Sequence, residues 1–111
     1  MPSIQSAISV LLEFLPPETV AEKTAHNPAR IFQCQERGFI REGYWADLAL
    51  IDTQTPTMVT KENIKYKCGW SPFEGITFKS SITATIVSGR IAYRDGQLNE
   101  TIRGQRLVFD R

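Results

Sequence analysis

At 111 residues the chain is long enough for one domain with a modest core and too short for several. Thirteen Lys and Arg against 12 Asp and Glu leave a net charge of +1 with no basic run, so nothing directs it to nucleic acid or to an acidic membrane. The longest apolar window, Ile4 to Leu15, is broken by Gln5, Ser6, Ser9 and Glu13. That excludes a span of ~20 apolar residues, and the window also lacks the basic start and small-residue cleavage site of a secretory signal. A cytoplasmic location is expected, with Cys34 and Cys68 as reduced thiols rather than a bridge.

Ser3 is placed to cap a first helix whose apolar residues Ile4, Ala7, Ile8, Leu11 and Leu15 form one stripe. Pro16 and Pro17 stop it. Pro17 suits the first turn of a second helix, Glu18 to Ala25. Asn27 before Pro28 repeats the cap-then-proline start for a third, Pro28 to about Gln35, with Gly38 as its left-handed closing residue. The run Ala46 to Ile51, bounded by Asp47 and Asp52, predicts a short strand buried on both faces.

Thr53 to Thr57 is a turn, and Val59 to Lys67 a loop with room for one helical turn. Gly69, Pro72 and Gly75 punctuate an irregular loop whose Trp70 and Phe73 rings are expected to tuck under the domain. Ile82 to Val87 and Arg90 to Tyr93 flank Ser88-Gly89 and predict a hairpin; Asp95-Gly96 marks a second turn and Leu98 a return segment. Arg106 to Phe109 is either an edge strand or a docked tail.

Few residues here could carry chemistry. His26 is the one histidine, whereas a catalytic zinc site takes about three protein ligands. No metal site is expected within this chain, and His26 is read as a helix-end residue. A thiolate nucleophile needs a base, but nothing in the sequence brings Cys34 or Cys68 to His26. Both are expected to pack, Cys34 beside Ile31 on the third helix. Asp47 is assigned to turn and backbone hydrogen bonding. Trp45, Trp70, Phe73 and Tyr93 could form an aromatic platform, though filling a core is favoured. No catalytic residue is assigned.

Three stretches carry a resemblance. Gly43, Ala46, Asp47, Leu48, Leu50 and Asp52 form a pattern that resembles the strand by which amidohydrolase-superfamily enzymes leave their catalytic barrel for a small β-sandwich. Lys67-Cys68-Gly69-Trp70-Ser71-Pro72-Phe73-Glu74-Gly75 is similar to a loop of dihydroorotases, and His26 to Phe32 is similar to their last short helix. The resemblance implies an α+β fragment: residues 1–37 would be terminal helices from the end of a (β/α)₈ barrel, and residues 38–111 part of a small composite β-sandwich.

It also implies a function that resides elsewhere. Dihydroorotases interconvert N-carbamoyl-aspartate and dihydroorotate in pyrimidine synthesis with zinc held on barrel strands that would precede Met1. A complete barrel needs ~250 residues, so the chain is expected to be a structural C-terminal piece, with Pro2 and Ser3 at the rim of the parent substrate loop. The implied partners are the remainder of that enzyme, a small-molecule substrate through it, and a second copy in a homo-oligomer; no nucleic acid and no membrane are expected. Two other readings compete: a fragment of an allantoinase or hydantoinase, and a non-catalytic interaction domain binding through the stripe Ile4, Ile8, Leu11, Leu15.

Overall fold

A computed structural model describes residues 3–110. The elements fall in two groups along the chain, helices first and strands afterwards, an α+β arrangement.

The helical half opens with a 3-10 turn, Ile4–Ser6, that runs into α1, Ala7–Leu12. Ser3 makes no side-chain cap. The expected cap is replaced from a distance: the Gln5 N–H donates to the Tyr66 hydroxyl at 2.5 Å, satisfying one of the donors that a helix start leaves open. Regular helix ends at Leu12, and Leu15 N–H still reaches the Leu11 carbonyl at 2.9 Å before Pro16, in extended backbone, breaks the run.

The second and third helices are not separate as expected. α2, Pro17–Ala21, passes through a π-helical segment, Glu22–His26, directly into α3, Asn27–Phe32. Asn27 is helical (φ −66, ψ −43) and caps nothing. Pro28 explains the wide turn: it has no N–H for the ladder and its ring crowds the preceding turn, so Asn27 N–H reaches back five residues to the Glu22 carbonyl. Gln33, at φ 56 and ψ 44, closes α3 in the left-handed region, the role expected of Gly38.

Gly38 serves a different purpose. A Cβ there would lie 2.5 Å from Ala29 Cβ and 2.7 Å from the Ala25 carbonyl oxygen. The absence of a side chain lets the outgoing segment pass against the helix it has just left.

The second half is built on an antiparallel sheet of four strands in the order β1, β4, β5, β6. β1 is Leu48–Asp52, β4 Ser81–Val87, β5 Arg90–Arg94 and β6 Gln97–Leu98. β2, Thr57–Met58, pairs separately with β3, Thr77–Phe78. The hairpin turns are as predicted: Ser88 and Gly89 (φ 50 and 80) join β4 to β5, and Asp95 and Gly96 (φ 47 and 87) join β5 to β6. Consecutive positive φ values match the twist of the flanking strands. Lys61–Asn63 forms the one helical turn of the intervening loop, with a reciprocal Thr60–Asn63 capping box.

β1 departs from expectation. It pairs with β4 on one side only, and Leu50 and Ile51 are 50% and 37% exposed, so it is an edge strand rather than one buried on both faces. An apolar run is buried on both sides only when a layer covers each face. The buried apolar residues are Val20, Ala29, Val59, Phe78 and Ala84. Phe73 packs edge-on against Phe78, ring centroids 5.8 Å apart, whereas Trp70 stays exposed instead of tucking under. The C-terminal segment docks on the end of α3: Gln35 N–H donates to the Val108 carbonyl and Asp110 N–H to the Gln33 carbonyl, each at 2.8 Å, around a bridge between Cys34 and Phe109.

Candidate functional site

Two features join the helical half to the sheet. At the first, Gln5 uses both ends of its amide: Nε2 donates to the Asn63 carbonyl at 2.6 Å and Oε1 accepts from Lys65 N–H at 2.8 Å. With the Tyr66 hydroxyl on its backbone, Gln5 fixes the start of the first helix to the loop after β2. Ser3 is half-buried at this corner, its carbonyl accepting from Ser6 N–H at 3.2 Å; Pro2 lies outside the described residues. Beside the corner is an open cleft of about 620 Å³, with Ile4, Ile8, Val59, Phe78 and Tyr93 among its walls. Asp52 lines it too, its carboxyl held below the ordinary aspartate value by the Gln54 N–H and then the Thr55 hydroxyl, both of which favour the ionised form.

The second feature is an ionic junction. Arg37 pairs with Asp47 Oδ2 and also donates through Nη2 to the Gln105 carbonyl at 3.1 Å; Asp47 Oδ1 accepts from Ser88 N–H at 2.8 Å. One ion pair thereby ties together the segment after α3, the entry to β1, the β4–β5 turn and the C-terminal segment. The Arg37 side chain is 13% exposed and that of Asp47 33%. Reading Asp47 as a backbone hydrogen-bonding residue of the strand entry holds, but its arginine partner carried no local sequence signal.

The groups with chemical potential are kept apart. His26 stacks flat on Phe39, centroids 4.4 Å apart and 6° from parallel, rather than ending a helix in solvent. Cys34 lies just beyond α3 in the bridge to Phe109, not on the helix beside Ile31. Cys68 is exposed, its Sγ 3.8 Å from the Trp70 carbonyl. Among the described residues no three of His, Cys, Asp and Glu lie together as a metal site would require, so the residues present do not fit a zinc centre. No ring contact joins Trp45, Trp70, Phe73 and Tyr93 to one another among the described residues, so no platform forms from them.

A different aromatic grouping appears between residues 30 and 45. The guanidinium of Arg41 lies 4.2 Å from the Phe39 centroid and 5.7 Å from that of Tyr44, Arg30 is 5.0 Å from Phe39, and Arg37 is 5.1 Å from Trp45. The interleaving of Arg37, Phe39, Arg41, Tyr44 and Trp45 was the available signal, although the segment is irregular and no strand or helix period sets these side chains on one side. What these arrangements do chemically is fasten one segment of the chain to another.

Comparison with known proteins agrees with the motif resemblance. A profile of the Amidohydrolase family matches residues 12–93. A dihydroorotase of Pyrococcus abyssi is 32% identical over 113 aligned positions, covering 97% of this chain and 28% of that protein. An allantoinase of Rubrobacter xylanophilus is 37% identical over 84 positions, 76% of this chain and 18% of its own length. Among solved structures, a D-hydantoinase (dihydropyrimidinase) from Thermus sp. shares the fold with a TM-score of 0.76 at 22% identity, over 89% of this chain and 23% of the other. The chain thus spans about a quarter of the length of the dihydroorotase relatives it matches.

Proposed function

This chain belongs to the Amidohydrolase family, and we propose that it is the C-terminal portion of a dihydroorotase, structural in itself, with cyclic-amide hydrolysis belonging to the intact enzyme. The observation that carries this reading is likeness to dihydroorotases along 97% of the chain, through all three motif stretches in order. The geometry supports it: every helix longer than one turn lies before residue 37 and every strand after it. In our reading residues 1–37 are the last helices of a catalytic barrel and residues 38–111 part of its composite sandwich. The open side of β1 and the exposed Leu50 and Ile51 would then meet strands from the remainder of the enzyme.

On this proposal the zinc, the carbamoyl-aspartate or dihydroorotate, and every catalytic group are held by the remainder of the protein. Ser3 and Pro2 stand at the rim of its substrate loop, with Gln5 anchoring that rim. The intact enzyme works in the cytoplasm, consistent with Cys34 and Cys68 as free thiols, and self-associates; no described helix is long and apolar enough to cross a membrane.

The test is cyclisation of carbamoyl-aspartate by the intact enzyme, measured beside hydrolysis of allantoin and of a hydantoin. A preference for carbamoyl-aspartate is expected. A preference for allantoin would replace this reading with the allantoinase one, which the 37% identity to an allantoinase favours. The 111-residue polypeptide alone is expected to bind no stoichiometric zinc and to turn over none of the three, and turnover by it would overturn the structural assignment.

A further inference from the structure

We propose that Asn99 is an acceptor for an N-linked hexose, transferred from a soluble nucleoside-diphosphate sugar. Asn99-Glu100-Thr101 is the Asn-x-Thr pattern of such acceptors, and Glu100 and Ile102 leave no proline to block it. All three residues are exposed, and they lie just past β6. The other asparagines do not carry the pattern: Asn27 precedes Pro28, and Asn63 has Lys65 two residues on. A pattern this short recurs by chance, so the geometry of the side chain decides whether it can act.

Asn99 Oδ1 accepts twice, from the Thr101 hydroxyl at 2.6 Å and from Thr101 N–H at 3.1 Å. Both bonds draw amide electron density toward oxygen and so make an Nδ2 proton easier to lose. Nδ2 itself donates to nothing among the described residues, whereas Asn63 gives the same group to the Met58 carbonyl at 2.8 Å. The backbone is held as well: Asn99 N–H donates to the Ala92 carbonyl at 2.7 Å, fastening the acceptor to β5, and Ile102 N–H reaches the Asn99 carbonyl at 3.4 Å. An open amide nitrogen is thereby presented on a fixed turn. In the transfer Nδ2 bonds to the anomeric carbon of the sugar, the bond from that carbon to the diphosphate oxygen breaks, the nucleoside diphosphate leaves with the electron pair, and one Nδ2 proton goes to a base of the transferase. The choice of a soluble donor rests on the cytoplasmic location proposed above; the acceptor depends neither on that nor on the dihydroorotase reading.

The experiment incubates the 111-residue chain with a soluble N-glycosyltransferase and UDP-glucose and locates any added hexose by peptide mapping in a mass spectrometer. One hexose at Asn99 is expected. Asn99→Asp keeps the turn's acceptor oxygen and should take none. Thr101→Ser keeps the hydroxyl and should retain most of the rate, while Thr101→Val should slow transfer about ten-fold, as loss of one hydrogen bond does. No hexose at Asn99 of the folded chain, even where a free peptide of residues 97–103 is modified, would overturn the site, and so would an unchanged rate in Thr101→Val. A parallel reaction with a lipid-linked oligosaccharide and a membrane-bound transferase checks the donor: transfer confined to that reaction would overturn the soluble sugar.

Discussion

Glycines with the same backbone angle have unequal consequences in this chain. Gly38 and Gly43 both sit at φ +84, where an L side chain costs roughly 1–2 kcal/mol. Around Gly43 nothing lies within 4 Å of the position a Cβ would take, whereas at Gly38 that position overlaps Ala29 Cβ and the Ala25 carbonyl of the helix beneath. Gly43→Ala should therefore lower stability by about 1 kcal/mol, and Gly38→Ala by at least ~3 kcal/mol once overpacking is added. Urea unfolding of the two variants is the measurement. Equal losses would mean that the close approach of the segment to its own helix contributes nothing, and that the angle alone accounts for both glycines.

At the scale of elements, the turn between β1 and β2 carries the clearest pH dependence. Asp52 closes it by accepting from Gln54 N–H at 2.9 Å and from the Thr55 hydroxyl at 2.7 Å, bonds that only the carboxylate makes well. Its folded-state pKa is depressed. The stabilisation is therefore present above the ordinary aspartate range and is lost as the pH falls through the lower folded-state value. Thr55→Val should raise the Asp52 midpoint in a 13C carboxyl titration, without restoring it fully because the Gln54 N–H remains. An unchanged midpoint would show that the hydroxyl does not hold the carboxylate.

Elements of this kind were also the most legible from sequence. Ser88-Gly89 and Asp95-Gly96 state their turn type in two residues, and a proline pair stops a helix wherever it occurs. What escaped notice depended on partners far along the chain. Ser3 looked like a cap, but the Tyr66 hydroxyl takes the open donor near the helix start; Gly38 looked like a helix closure, but Gln33 adopts the left-handed angle first. Asp47 was legible as a strand-entry acid, while its ion pair with Arg37 was not, since ten residues of irregular chain separate them with no periodicity to put them on one face. The apolar run of β1 reported composition correctly and burial wrongly, because burial depends on the layer that covers a strand.

The whole molecule exposes more than a self-sufficient domain of its mass would. A folded monomer of 12.6 kDa is expected to expose about 6,200 Å² and to have a radius of gyration near 13 Å. Here the values are 8050 Å² and 14.7 Å, and no described side chain is less than 2% exposed. The excess, of roughly 1,900 Å² on this one chain, is about twice the ~800 Å² that each partner contributes to a standard protein–protein interface. It is apolar in places that the chain's own fold does not use: Ile40 is 89% exposed and Ile31 72%. The predicted stripe on the first helix is open only in part: Ile4 is 87% exposed, whereas Ile8, Leu11 and Leu15 are half-buried. If these outward residues serve contact with the remainder of an enzyme, replacing Ile31 and Ile40 by Ser should change the stability of the isolated chain by no more than ~0.5 kcal/mol, as exposed sites do. The same pair of changes should reduce binding of an apolar dye and self-association in light scattering. In the intact enzyme it should instead lower the melting temperature, because there the two side chains would be desolvated. A stability loss in the isolated chain, with none in the intact enzyme, would place those residues inside this chain's own core and remove the case that its surface awaits a larger body.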